Sequence, residues 1–558
     1  MTDTSTRART SDPLWYVVGL AVIAAAGLAV RFVSILVVRP TCNEDIVASI
    51  ESGNFTSTTD GKCFGIWGDT AYSYLQGRQI ARGNWFIDSY TYLTTRGTVF
   101  KPSSGDPPLF AMFLGLLSKL GITSGTGQRL ACGVLGVIGV VLIAMLARRI
   151  AGPRAGLLAG AVAAVYPLLW INDGMLLSES LYVPLIALAM HLAYRFWDRP
   201  TFLNAGLFSG AIALAALTRA EALILFVAMT VPLLWGLRTL GVKRLAGLFA
   251  TMAAVGLVLV GPWLAFNLVR FKHPALMTSA TGAVLSSANC DVTYYGDSLG
   301  YYGNCFDDYV QKGWMLDKIP TCDEAAVAAA AIDPRSDEAG RCWPNDPALD
   351  ETERDQFSRD LAIRYMSENK RRLPVVMLAR VGRMWDFYVP QLGYEREPLG
   401  QNVFFNWYVE GRGKLESETG VLAYYALWPF AIGGFVAMWR RRVPLSPMIS
   451  MAVVITVTAA FTFGITRYRV PIDVVMILLA AVGGDALLRR WWPASSGGTV
   501  VRRRGDGGGP VGDAPDRPVV PDLVPADGAD RDGNGDDDGT GTTDERGSPG
   551  HHPEEVPV

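Results

Sequence analysis

The 558-residue chain is half hydrophobic and only 18% charged, against roughly 25% in ordinary globular proteins, which excludes a string of soluble domains at ~150 residues each. Its mean hydropathy of +0.23 is diluted by a Gly-, Pro-, Asp- and Arg-rich end, so the first 490 residues have the composition of a multi-pass membrane protein. The net charge of −2 hides 14 carboxylates from Asp506 onward and an Arg-rich membrane part, so it supports neither nucleic-acid binding nor an acidic surface.

In chain order, residues 1–13 form a short N-terminus. Apolar runs of helical length follow near 14–38, 128–147, 155–171, 180–196, 203–218, 221–237, 245–268, 419–439, 446–464 and 470–488, about ten spans of roughly 17–25 residues. The first is too long for a cleaved signal and has no small-residue cleavage site, so it reads as a retained helix. The fold class is therefore an all-α polytopic membrane protein with interfacial helices, a mixed extracytoplasmic loop domain and a disordered C-terminal tail.

Basic residues alternate between the loops. Arg7 and Arg9, Arg148 to Arg154, Arg195 and Arg199, Arg238 to Arg244, Arg440 to Arg442, and Arg489 with Arg490 fall on one side, which the positive-inside rule makes cytoplasmic. Both termini are then cytoplasmic, and loops 39–127, 172–179, 219–221, 269–418 and 465–469 lie outside. Pro107 to Leu120 is apolar, but its 14 residues make only about 21 Å of helix against a ~30 Å hydrocarbon core. Counting it as a span would break the alternation, so it reads as interfacial or re-entrant.

Six of seven cysteines, Cys42, Cys63, Cys290, Cys305, Cys322 and Cys342, fall in the two large outer loops, and Cys132 lies within a span. Even numbers per loop in an oxidising compartment predict a Cys42–Cys63 bridge and two more among the other four. Neighbour pairing is the simplest of three connectivities; free thiols or metal ligation are the alternatives, the latter without CxxC spacing or nearby His.

The loop 269–418 opens with the irregular Asn289–Asp308 stretch and continues to a helix over Glu351–Asn369, which reads as a small folded unit. Leu373 to Val389 is apolar except for Arg380, Arg383 and Asp386, which share one helix face and suit a helix lying on the membrane surface. The tail 491–558 is acidic, poor in aromatics and expected to be disordered. The sequon at Asn54 reads as accidental, because the Arg-over-Lys bias and Gly/Asp/Ala richness point to a bacterial chain and hence to a bacterial plasma membrane.

Carboxylates at the outer mouths of spans suit chemistry on a lipid-linked substrate. Asp69 follows two glycines in Gly65-Ile66-Trp67-Gly68-Asp69 and precedes a helix from about Thr70 to Arg82, where it also reads as an N-cap. Asp173 and Glu179 sit at the mouth between the third and fourth spans, as functional groups or plain surface features. Lys101, Arg219, Arg467 and Arg469 are candidates to hold a phosphate. Arg219 and Glu221 read equally as a mutual ion pair, and Arg467-Tyr468-Arg469 as an interfacial anchor.

Over residues 14–490 these features resemble the polytopic C-type glycosyltransferases, in the branch of the protein O-mannosyltransferases and the lipid A aminoarabinose transferases. The resemblance rests on Gly68-Asp69 before an amphipathic helix, Asp106-Pro107-Pro108-Leu109-Phe110, Asp173 with Ser178-Glu179, Gly261-Pro262-Trp263 with Asn267, and Arg467-Tyr468 with Pro471. It implies a polyprenyl-phosphate sugar donor, transfer of a hexosyl or pentosyl group with inversion, and Asp69 as catalytic base. It further implies Asp173 or Glu179 assisting, and Lys101, Arg219, Arg467 or Arg469 holding the donor phosphate. The acceptor would be a hydroxyl of a protein, lipid or cell-wall glycan on the extracytoplasmic face. One departure is Asp106, where the family commonly has Lys or His before the prolines. No obligatory metal is expected, although some relatives bind a divalent ion. The alternatives are a multi-pass transporter or flippase for a lipid-linked glycan, an oligosaccharyltransferase, and a non-catalytic assembly protein.

Overall fold

The computed structural model describes residues 13–52, 63–66, 68–316, 319, 321–332, 342, 349–388 and 414–491. The expectations for residues 1–12, for the sequon at Asn54 and for the tail beyond Trp491 lie outside this set. Among the described residues the chain is helical, apart from two isolated bridges, Thr41 to Phe64 and Ile87 to Pro102. The large loop is likewise helix and turn in its described part, where a mixed domain is expected from its irregular composition.

Each of the ten apolar runs is a helix, but they differ in reach. Five are long and apolar enough to cross a bilayer alone: Leu14–Val38, Gly125–Ala151, Val242–Arg270, Thr419–Arg440 and Thr466–Trp491. A sixth is broken, because Pro167 holds Tyr166 in extended backbone and bends Pro153–Val165 from Pro167–Asp173 by 57°. Phe202–Ala216, Ala222–Gly236 and Ser446–Phe461 have 15, 15 and 16 residues, about 23 Å of helix, shorter than the ~30 Å core. The tenth, Glu179–Asp198, has 20 residues but is not among the helices apolar enough to cross alone. Among the described residues, length and composition therefore support five or six full spans, where the hydropathy runs suggest ten.

The helix Val470–Trp491 sits at the centre and is buried over nearly its whole length. Its Gly483 and the Gly434 of Lys414–Arg440 allow backbone contact: a Cβ on either glycine would lie about 2 Å from a facing carbonyl oxygen, at Phe430 and Leu479 respectively. Arg31, in the last turn of the first helix Leu14–Val33, is buried and donates from Nε to Asp173 at 2.7 Å and from Nη1 to the carbonyls of Gly27 and Ala164. Gly136 leaves the room this ion pair needs, since its Cβ would overlap the Asp173 carboxylate.

The first loop folds around two glycines. The helix Gly68–Ala81 packs on Pro108–Lys119, where Gly77 faces Leu114 and Gly115 faces Ile80 with no space for a Cβ. Cys42–Cys63, Cys290–Cys305 and Cys322–Cys342 are all bridged, the neighbour connectivity, and Cys132 is free and buried. The helix Leu373–Met384 carries Arg380 and Arg383 on one face. Its charged face turns inward, with Arg380 bonded to Ala288 and Asn289 and Arg383 to the carbonyls of Asp297 and Leu299. Val375 and Leu378 are exposed. Guanidinium donors satisfy the irregular Asn289–Asp308 backbone, which has no ladder of its own.

Candidate active site

Gly68 has φ +58°, a left-handed conformation that turns the chain sharply into the helix, and a Cβ there would meet nothing, so the requirement is conformational. The helix begins at Gly68, and Asp69 stands in its first turn. The Asp69 carboxylate turns to Arg467 Nη1 at 2.8 Å, an interaction the N-cap reading does not provide. Its side chain remains 64% exposed, whereas that of Arg467 is 8% exposed.

Arg467 lies in the 3₁₀ turn Thr466–Arg469 that leads into the central helix. Its Nε donates to Glu179 Oε1 at 2.5 Å, and its Nη1 to Asp69. Glu179, the first residue of the helix Glu179–Asp198, is buried and accepts a second bond from Arg219 Nη1 at 2.6 Å. Arg219 Nε in turn reaches Glu221 at 2.6 Å, across the break between Phe202–Ala216 and Ala222–Gly236. The array thus runs Asp69, Arg467, Glu179, Arg219, Glu221, with alternating charge and three carboxylates against two guanidinium groups. The ion pair read between Arg219 and Glu221 is present, and Glu179 extends it into a network.

A sixth charged group, Asp106, faces this array. It precedes Pro107 and Pro108, the latter the first residue of Pro108–Lys119, and Leu109 N donates to Leu217 O at 2.8 Å, tying this loop to the Arg219 turn. Asp106 is exposed by surface area, although many protein atoms surround its carboxyl. Desolvation by that surrounding protein and the nearby Asp69 push its carboxyl up to about 7, against Arg467 and Arg219. Tyr72, one turn after Asp69, accepts from Gly105 N at 2.9 Å and bonds Ser103 Oγ at 3.1 Å, so the Asp69 helix and the Asp106 loop are fastened together. From the large loop, Glu351 accepts from Ser104 N at 2.6 Å.

The remaining sequence candidates stand elsewhere. Asp173 is buried against Arg31 and does not join Glu179. Arg469, two residues from Arg467, has its side chain fully buried between Asp386 at 2.6 Å and Asp473 at 2.9 Å, with its guanidinium 3.6 Å from the Tyr424 ring centroid. Lys101 Nζ donates to Leu349 O at 3.2 Å. Sequence reasoning passed over Arg31, although a charge in the middle of an apolar run was a readable signal. It noted Asp106 only as a departure from a motif. Glu351 carried no local signal.

Beside Asp69 and Arg467 opens a cavity of about 260 Å³ lined also by Leu177, Tyr302, Phe463 and Tyr468. A second cavity, about 390 Å³, lies against the same turn and is lined by Gly68, Tyr72, Asp88, Ser103, Glu351 and Arg354.

Helices long and apolar enough to cross a bilayer, with an ionic array at their ends, define a polytopic membrane protein. Residues 105–266 match the model of the dolichyl-phosphate-mannose-protein mannosyltransferase family, the family branch that the motifs resemble. That segment carries Asp106, Glu179, Arg219 and Glu221. Among solved structures the chain is similar to ArnT from Cupriavidus metallidurans, bound to undecaprenyl phosphate and in the apo state. Each is 15% identical with a TM-score of 0.33, over 84% of this chain and 78% of that one. No curated protein matches.

Proposed function

We propose that the protein is a membrane glycosyltransferase that moves a single sugar from a polyprenyl-phosphate donor to an acceptor hydroxyl, with inversion at the anomeric carbon. The observation that carries this reading is the exposed Asp69 carboxylate held by Arg467, itself anchored with Arg219 on the buried Glu179. The family match over residues 105–266 supports the donor class.

In this reading Asp69 takes the proton of the acceptor hydroxyl, whose oxygen attacks the anomeric carbon in line as the phosphate departs with the bonding electrons. Arg467 and Arg219 offset the charge on the departing phosphate. Glu179 fixes both guanidinium groups and acts as a positioning residue. Asp173, buried against Arg31, and Arg469, buried between Asp386 and Asp473, are assigned structural roles, and Lys101 secures the first loop to residue 349. Transfer proceeds on the extracytoplasmic face of the membrane.

Asp69→Asn is nearly isosteric and removes the base. Transfer of labelled sugar from polyprenyl phosphate into membranes is expected to fall by about 100-fold or more, with an unchanged elution profile in detergent. Unchanged transfer would remove Asp69 as base. A wild type that moves lipid-linked glycan across vesicles without transferring it would favour the flippase instead.

A further inference from the structure

Four aromatic rings make a continuous run beside Asp69. Tyr301 stacks on Tyr302 with centroids 4.5 Å apart, Tyr302 meets Phe463 at 5.2 Å, and Phe463 meets Tyr468 at 5.4 Å. Tyr302 comes from the large loop, whereas Phe463 and Tyr468 come from the approach to the central helix. Arg219 lies over the far side of the run, 5.0 Å from the Tyr468 centroid. Tyr302, Phe463 and Tyr468 all line the cavity that Asp69 and Arg467 share. Tyr302 and Tyr468 are half-buried.

A phosphate needs cations, and a polyprenyl chain needs aliphatic surface. Neither calls for aromatic rings set against a carboxylate and a guanidinium across one small space. A pyranose ring does, because its axial C–H bonds form an apolar face that stacks on aromatic rings, while its hydroxyl edge takes hydrogen bonds from charged side chains. Size agrees: drug-sized ligands occupy pockets of about 300–1,000 Å³, and this cavity of about 260 Å³ suits one sugar ring.

We infer that the cavity walled by Tyr302, Phe463 and Tyr468 is a subsite for a single pyranose ring, with Tyr302 as the stacking residue contributed by the large loop. The inference deepens the transferase reading and rests on it for the identity of the ring, which is either the donor sugar or a sugar of the acceptor.

The test uses the full-length protein in detergent and lipid probes charged with mannose, glucose, galactose or arabinose, alongside bare polyprenyl phosphate. For the preferred charged lipid, Tyr302→Ala is expected to weaken binding about tenfold, with bare polyprenyl phosphate changed less than twofold. Tyr302→Phe, which keeps the ring face, is expected to bind as wild type. If charged-lipid binding is unchanged while the KM for a glycan acceptor rises about tenfold, the ring is the acceptor's and the subsite stands. Equal losses for charged and bare lipid would show a wall for lipid or phosphate and overturn it, as would no effect in either assay. So would a wild type that binds none of the four charged lipids more tightly than bare lipid, together with a glycan-acceptor KM that Tyr302→Ala leaves unchanged. A wild type that binds a charged lipid through Tyr302 yet transfers nothing would strike the transferase reading and leave the subsite standing.

Discussion

Arg467 and Arg469 are separated by one residue and do different work. In a 3₁₀ turn three residues complete a revolution, so side chains two apart point about 120° away from each other. One reaches Glu179 and Asp69, the other Asp386 and Asp473. Arg469→Ala leaves two buried carboxylates without their cation and is expected to cost about 3–5 kcal/mol, read as poor recovery and early thermal unfolding in detergent. Recovery and unfolding like wild type would contradict that structural role. Asp106 supplies a pH signature. Its carboxyl is pushed up to about 7 from the usual 3.8, so between those values the folded chain holds a proton that the unfolded chain has released. This contribution to stability is complete at low pH and is lost as pH rises through 7. The apparent Tm of wild type is expected to fall more between pH 5 and 8 than that of Asp106→Asn. Identical slopes would dismiss Asp106 as the titrating group.

At the scale of elements, the site depends on how short helices are fastened to one another. The Gly68–Ala81 helix carries Asp69 into the array, and its Tyr72 hydroxyl clamps the Ser103–Asp106 loop. Tyr72→Phe removes one acceptor for the Gly105 N–H and is expected to cost about 1–2 kcal/mol of stability. Because Asp69 and Asp106 would then shift relative to one another, kcat should fall several-fold with the donor KM within twofold. A raised KM at unchanged kcat would assign Tyr72 to binding. The large loop adds Glu351 to the same clamp through Ser104 N, at the first turn of the Glu351–Glu368 helix, whose capping box joins Asp350 and Glu353. Cys42–Cys63 closes a loop that ends five residues before Gly68, ahead of the helix that carries the base.

For the whole molecule, membrane orientation is the property still to be measured. The charge alternation puts Tyr90 outside and Val242 at the cytoplasmic face, and both side chains are exposed, 56% and 83%. In intact cells a membrane-impermeant maleimide is expected to label Tyr90→Cys, and to label Val242→Cys only after permeabilisation. The reverse pattern would invert the topology and put the ionic array on the cytoplasmic side.

What the sequence alone determined is what local patterns carry. Apolar runs set where the helices lie, Gly68 marks where the backbone turns, and the cysteines fall in even numbers in each outer loop, whereas the break at Pro167 and the pairing of the last four cysteines came from the structure. The inventory of charges at helix ends was also readable, since an ionisable group there is costly without a role. Tertiary structure decided the rest. Arg467 meets Glu179 across 288 residues and Asp69 across 398, whereas Asp173, only six residues before Glu179, is drawn away to Arg31 by the room left at Gly136. Such pairings follow from which helices pack together and which way each turn faces. No spacing along the chain encodes them, because a buried charge takes whichever opposite charge the packing brings within reach.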